Sequence, residues 1–366
     1  MSRAVSQPSG PTGREPVTVW PVGDLPEVRA GDDLAALLVN GLAANGLALR
    51  DGDVLVVSSK VISKALDLTR AGTSRADAVA EQTHREVARR RGALADTVIV
   101  EGAAGPVMAA AGVDASNVQP GAVLLLPEDP DAVARDLRAR ITELAHGVVF
   151  GLVIADTAGR AWRDGVTDFA LGVAGLRALE DLRGQADSFG TALEVTVRAV
   201  ADELASAADL AKGKLDGVPA ALVSGAGAYV TEADGAGAAP TLRGRDGAWW
   251  EDWFRYGHVE AVRAALRAGE PSTGDAVPAP SIGPETVAVR ANRALALALE
   301  GTLGQATGAV TDGAAGVVIE LSGGSAYAMG GAVARLHVAL WSEHLATGSA
   351  HDQDTQARFA IRELVD

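Results

Sequence analysis

Residues 148–175, with the sequence VVFGLVIADTAGRAWRDGVTDFALGVAG, constrain the fold of this chain more than any other stretch. The stretch begins with apolar and β-branched residues from Val148 to Ile154, a composition typical of a buried strand, and this run ends abruptly at Asp156 and Thr157. Glycine, arginine and carboxylate residues then follow one another up to Asp168. The sequence therefore predicts a core strand that delivers polar side chains into a loop.

The side chains of this loop favour the binding of a metal ion together with an anion. Asp156 and Thr157 offer the hard oxygen atoms that Mg²⁺ and Mn²⁺ prefer as ligands. Arg160 and Arg163 offer planar, bidentate contacts, and we predict that they hold an anionic substrate or a transferred phosphoryl group. A structural interpretation stays open, since an Asp-Thr pair also caps turns and arginine-rich loops are often only solvated.

Two further segments place similar chemistry beside predicted strands. The strand Val54–Val57 is followed by hydroxyl and lysine residues from Ser58 to Lys64, a pattern that resembles a phosphate-binding turn. Asp114, Ser116 and Asn117 follow a small-residue segment and supply more oxygen atoms. Sequence signatures of P-loop proteins, zinc proteases, triad hydrolases and Rossmann-type oxidoreductases do not occur in a usable context. The pattern therefore predicts metal-assisted phosphoryl transfer from a nucleotide.

Charge and composition exclude several other functions. The chain has 32 Lys and Arg against 47 Asp and Glu, a formal net charge of −15, which argues against nonspecific binding of nucleic acid. The absence of cysteine excludes disulfides and thiol catalysis and is compatible with a cytoplasmic protein. Charges and glycines interrupt every hydrophobic run, so we expect no membrane span.

The order of predicted elements indicates an α+β protein with mixed sheets and flanking helices. At 366 residues, the chain is long enough for two domains. We expect a disordered tail at 1–16, a catalytic domain at 17–260, a linker rich in Pro, Ser and Gly at 261–284, and a small α/β domain of unassigned role at 285–366. The expected helices are 34–42, a charged and exposed one at 73–92, 129–145, 193–210, an aromatic-rich one at 249–266, 285–300 and 331–345, followed by an acidic-polar tail.

Five segments together resemble a known family. They are Leu25-Pro-Glu-Val28 with the following Gly-Asp-Asp, Val57 to Lys64, Ala111 to Asn117, Asp156 to Asp168, and Val200 to Leu210 with a later Gly-Val-Pro. Their order and spacing, over roughly residues 17–260, are similar to those of the coenzyme F420-0:L-glutamate ligase family. Any one segment is a weak match, but five in order are specific.

This resemblance implies a gamma-glutamyl ligase-like fold and a GTP-dependent ligase that joins L-glutamate to the carboxylate of coenzyme F420-0. By the same resemblance, we expect the reaction to run through an acyl phosphate and to release GDP and phosphate. The resemblance also implies Mg²⁺ or Mn²⁺, with K⁺ as a further candidate cofactor, and a homodimer. Carried over position by position, the implied metal ligands are Asp114, Asp156 and Thr157. The implied guanine-nucleotide contacts are Leu25, Pro26, Glu27, Val28, Ser59, Lys64 and Asn117.

The chain also departs from the family pattern at several positions. Lys214 stands where many family members have Gln or Glu, and that Gln or Glu side chain helps to hold a second metal ion. Polar or charged residues of the family pattern are also replaced here, by Leu66, Leu68 and residues 102–104. Two alternatives therefore stay open. One is a catalytically weakened paralogue that binds the coenzyme or nucleotide as a partner protein, and the other is a ligase for a different carboxylate.

Overall fold

The computed structural model describes residues 15–90, 97–116, 118–161, 163–242, 257–267, 285–300, 302, 304–314 and 316–364. Their parallel and antiparallel sheets with flanking helices confirm the predicted α+β class. The strands are β1 Thr18–Val22, β2 Val54–Ser58, β3 Thr69–Ala71, β4 Thr83–Arg90, β5 Thr97–Gly102, β6 Val107–Ala109, β7 Ala122–Leu124, β8 Gly151–Arg160, β9 Arg163–Ala174, β10 Leu179–Asp181, β11 Val197–Ala199, β12 Ala220–Ser224, β13 Ala306–Gly313, β14 Gly316–Gly323, β15 Leu345–Gln353 and β16 Gln356–Glu363. The helices are α1 Leu34–Ala44, α2 Ser59–Ala65, α3 Arg75–Glu81, α4 Pro130–Leu144, α5 Val200–Lys212, α6 His258–Arg267, α7 Val287–Glu300 and α8 Ala326–Ser342.

The chain divides into two compact units. The first comprises the described residues of Met1–Arg85 and Glu101–Asp252, and the second those of Glu86–Val100 and Trp253–Asp366. Part of the range expected as a linker is helical, because α6 extends to Arg267. Residues 268–284 and the first 14 residues of the expected tail lie outside the described ranges.

A five-stranded sheet in the order β1-β12-β2-β8-β9 forms the centre of the first unit. Strands β2 and β8 are parallel and pair Ser58 with Ala155, while the other neighbours are antiparallel. The central strands are apolar on both faces because helices cover both. Leu55 and Ile154 lie in a core shared with α1 and α4, whereas Val56 lies in the opposite core with α5.

Local sequence signals account for the helices that flank this sheet. The Asp33 carboxylate accepts a hydrogen bond from the Ala36 amide and so caps α1. Asp129 caps α4 in the same way, and Pro130 occupies its first position. Helix α5 presents the fully buried Ala201, Ala205 and Ala208 to the sheet, so its backbone packs closely. It begins only at Val200, since the preceding residues pair with β10 as strand β11.

Four predicted segments are wrong in type. Residues 73–92 are not one helix, because α3 ends at Glu81 and β4 follows it. Residues after Ser58 form helix α2 rather than a loop, and most of the predicted loop after Asp156 belongs to the hairpin of β8 and β9. The expected polar tail forms the paired strands β15 and β16. In each case pairing or packing with distant residues decided the structure.

Gly172 on β9 provides a test of how closely the sheet approaches α4. A Cβ atom at this position would lie 2.3 Å from the Pro130 carbonyl oxygen, which belongs to backbone at the start of the helix. We expect Gly172→Ala to lower the free energy of unfolding by about 1–3 kcal/mol, because the helix must shift. Gly159→Ala on β8 is the matched control, since nothing lies within 4 Å of its added Cβ. Equal denaturation midpoints for the two variants would contradict this account.

The second unit contains two consecutive helix–strand–strand segments, α7-β13-β14 and α8-β15-β16. Their strands form one antiparallel sheet in the order β13-β14-β16-β15. Ile319, Leu336 and Phe359 are buried in a core between this sheet and the helices. Among the described residues, no helix combines the length and apolarity that crossing a bilayer requires.

Candidate active site

A cleft of about 490 Å³ lies in the first unit where the parallel pairing of β2 with β8 ends. Because the carboxyl ends of parallel neighbours meet at one edge, Ser59 and Asp156 come together there although they are far apart in sequence. The cleft is lined by polar and charged side chains from several further segments. These are Glu27, Lys60, Lys64, Arg75, Asp114, Thr157, Asp168, Asp209, Lys212 and Lys214.

Asp156 lies at the centre of this group. Its Oδ1 accepts a hydrogen bond of 3.0 Å from the Ser59 hydroxyl. Burial raises the pKa of Asp156 to about 6, and the nearby charges of Asp168 and Asp114 act in the same direction. A cation beside this carboxylate would therefore relieve an unfavourable charge.

Asp114 also lines the cleft and is held there by backbone pairing with Leu124, with N–O distances of 3.1 and 2.8 Å. Its Oδ2 lies 2.8 Å from the Lys60 ammonium, and its Oδ1 accepts from the Ser116 amide at 2.7 Å. Burial opposes ionisation, but these hydrogen bonds keep the pKa of Asp114 below its usual value. Asp114 is therefore a carboxylate at neutral pH.

Thr157 belongs to a chain of polar contacts that crosses the β8–β9 hairpin. Its hydroxyl donates to Asp168 Oδ1 at 2.6 Å, and the two residues face each other in register. The other Asp168 oxygen accepts from the Lys212 ammonium at 2.6 Å, and this ion pair is only 3–5% exposed. Lys214 donates to the Thr157 hydroxyl at 3.0 Å. Lys212, the last residue of α5, is therefore a buried partner of Asp168.

The predicted nucleotide contacts are divided between the cleft and the core. Ser59, Lys64 and Glu27 line the cleft, and the Lys64 ammonium lies 2.5 Å from Glu27 Oε1. Leu25 instead packs against α1, where a Cβ on Gly41 would lie 2.6 Å from its Cδ1. Val28 is buried in the same core and Pro26 is exposed. Asn117 lies outside the described residues.

Arg160 and Arg163 face each other at the exposed tip of the β8–β9 hairpin. Neither is among the residues that line the cleft. Arg75, which the sequence analysis missed, does line it and donates from Nε to the Val113 carbonyl at 3.2 Å. No local signal marked Arg75, because the segment around it was assigned to an exposed helix.

The donor set fits a divalent cation held by few protein ligands. Within the described ranges, no three acidic or histidine side chains converge closely enough to enclose a metal ion. Mg²⁺ commonly binds through one or two carboxylates and completes its shell with water and substrate phosphate oxygens. The raised pKa of Asp156 and the ionised Asp114 match that mode of binding.

The sheet and its charged cleft define an α+β protein with a polar site, and comparison with known proteins shows its family. A model of the F420-0:gamma-glutamyl ligase family matches residues 23–225, more than half of the chain. Coenzyme F420:L-glutamate ligase from Archaeoglobus fulgidus is 41% identical over 224 residues, 57% of this chain and 88% of that protein. The protein of the same name from Methanothermobacter thermautotrophicus is 37% identical over 62% of this chain and 95% of its own length. The one from Haloarcula marismortui is 42% identical over 56% of this chain and 86% of its own length.

The chain therefore belongs to the F420-0:gamma-glutamyl ligase family and is a ligase enzyme. This confirms the resemblance predicted from five short segments. The matched region contains the complete set of cleft residues and ends at residue 225. The two helix–strand–strand segments at residues 287–363 lie beyond it.

Proposed function

We propose that this enzyme forms an amide between L-glutamate and the carboxylate of coenzyme F420-0, with GTP and Mg²⁺ or Mn²⁺ and with K⁺ as a further candidate. It would act as a cytoplasmic homodimer. The observation that carries the proposal is the meeting of Asp114 and Asp156 with Lys60, Lys64 and Lys214 in one cleft. Two carboxylates for a cation and several ammonium groups for phosphate oxygens are the parts that phosphoryl transfer requires.

In this proposal, residues of the cleft bind and orient the reactants. Asp156, Asp114 and Thr157 hold the cation, which neutralises phosphate charge when bound. Ser59, Lys64 and Glu27 bind the nucleotide, and Leu25 and Val28 fix the segment of Glu27 to the core. The coenzyme carboxylate attacks the γ-phosphorus to form an acyl phosphate and GDP, and the glutamate amine then attacks the acyl carbon and expels phosphate. The protein contributes mainly by alignment.

Arg160 and Arg163 remain candidates for binding the anionic end of the substrate. Their position on the tip of a hairpin that leads into the cleft supports contact with a group outside the cleft. Arg75 is an additional candidate because its guanidinium lies in the cleft wall.

The proposed function is tested by incubating the full chain with coenzyme F420-0, L-glutamate, GTP and Mn²⁺. We expect GDP release and a deazaflavin product whose mass is greater by one or more glutamyl residues. Asp181→Asn, at an exposed site outside the cleft, is the control variant and should behave like the wild type. GDP release without this product would indicate another carboxylate acceptor, and GTP binding without turnover would indicate the weakened paralogue.

A further inference from the structure

Two of the three residues proposed to hold the cation already bind a lysine ammonium. Lys60 lies 2.8 Å from Asp114 Oδ2 and also donates to the Ser116 hydroxyl at 2.7 Å. Lys214 donates to the Thr157 hydroxyl at 3.0 Å. An ammonium and a divalent cation repel each other, so each lysine competes with the cation for the same oxygen atoms.

The cleft lysines differ in their freedom to move. Lys212 is almost fully buried with Asp168 and is fixed by that ion pair. The Lys60 side chain is 24% exposed, and Lys214 is an exposed residue. A lysine side chain has a flexible four-carbon stem that can redirect its ammonium group to a nearby phosphate oxygen.

We propose that the ammonium groups of Lys60 and Lys214 occupy the oxygen atoms of Asp114 and Thr157 until the cation and nucleotide arrive and then transfer to phosphate oxygens. This inference rests on the proposed function, because it takes a nucleotide triphosphate as the anion. The exchange leaves these charges paired in both conditions, since the cation takes the oxygen atoms that the ammonium groups leave and the phosphate oxygens take the ammonium groups. It also makes the cation and the nucleotide bind better together than separately.

The exchange predicts effects of opposite sign from one substitution. Lys60→Met or Lys214→Met removes a competitor of the cation, so Mn²⁺ alone should bind about 3-fold more tightly, as expected for a partly exposed pair. The same substitution removes a donor to phosphate, so GDP in the presence of Mn²⁺ should bind about 10-fold more weakly. A lysine with a purely structural role would not shift the two affinities in opposite directions.

The experiment measures Mn²⁺ binding by electron paramagnetic resonance and GDP binding by calorimetry, using the full chain. Lys64→Met is the matched control, because it removes a cleft lysine whose partner is Glu27 and should weaken GDP binding without tightening Mn²⁺ binding. Lys60→Arg keeps the positive charge of the side chain, so its affinities for Mn²⁺ and GDP should stay close to those of the wild type. Should Lys60→Met fail to fold, the exposed Lys214→Met decides the question.

The outcomes separate the exchange from the function on which it rests. Unchanged or weaker binding of Mn²⁺ alone by both methionine variants, with normal Mn²⁺ binding by the wild type, would overturn the exchange and leave the ligase proposal intact. A wild-type chain that binds no Mn²⁺ with or without GDP would overturn the metal site and the exchange together.

Discussion

Asp156→Asn is expected to abolish ligase turnover without loosening the fold. Asparagine has the same size and keeps an oxygen that can accept from Ser59, but it lacks the negative charge that attracts a divalent cation. We expect the rate of product formation to fall at least about 100-fold, or roughly 2.7 kcal/mol in the activation barrier. Calorimetric titration with Mn²⁺ should show weaker binding. Normal Mn²⁺ affinity in this variant would exclude Asp156 as a metal ligand.

The same substitution is expected to stabilise the metal-free protein at neutral pH. The pKa of Asp156 is raised by burial from its ordinary value of 3.8 to about 6, so ionisation of this group disfavours the folded state. Wild-type stability should therefore fall as the pH rises from about 4 to about 6, while the variant lacks this contribution. The difference in unfolding free energy should reach up to about 3 kcal/mol in favour of Asp156→Asn. Thermal unfolding in a chelator across this pH range measures it.

Lys212→Met is expected to be the most destabilising substitution in the cleft. It leaves the buried Asp168 carboxylate without its ammonium partner, although the hydrogen bond from Thr157 remains. Breaking a buried ion pair from one side costs about 3–5 kcal/mol. Denaturant unfolding should show a loss of this size at neutral pH.

A double-mutant cycle identifies the cause of that loss. Combining Lys212→Met with Asp168→Asn removes both charges, so the double variant should be more stable than Lys212→Met alone. Arg183→Met is the surface control, because Arg183 pairs with Asp181 at an exposed site, so this variant should unfold at nearly the same denaturant concentration as the wild type. Equal losses for Lys212→Met and the double variant would show that packing, rather than the unpaired charge, is responsible.

Elements with a strong local pattern were predicted well from the sequence. Strand β2 and the apolar part of β8 were expected from continuous runs of apolar residues, and α4 was expected within one residue of its bounds. Of the polar residues expected after these apolar runs, Ser59, Asp156 and Thr157 line the cleft. These signals are local, because burial on both faces and helix capping depend on neighbouring residues.

The partners of these residues could not be read from the sequence. Thr157 contacts Asp168 only because the chain between them turns back as a hairpin, and a loop was expected there. Residues 345–363, with a polar composition, form strands because each finds a paired neighbour in an antiparallel sheet. Strand formation depends on pairing with distant residues more than on intrinsic preference.

The sequence by itself determined the α+β class, the family and most of the residues that offer chemistry. The tertiary structure decided how those residues are charged and paired. It gave Asp156 a raised pKa, joined Lys60 to Asp114 and Lys214 to Thr157, and placed Arg160 at an exposed tip. Residue types and short motifs are properties of the chain, whereas burial and Coulomb interactions depend on distances that exist only after distant segments pack together.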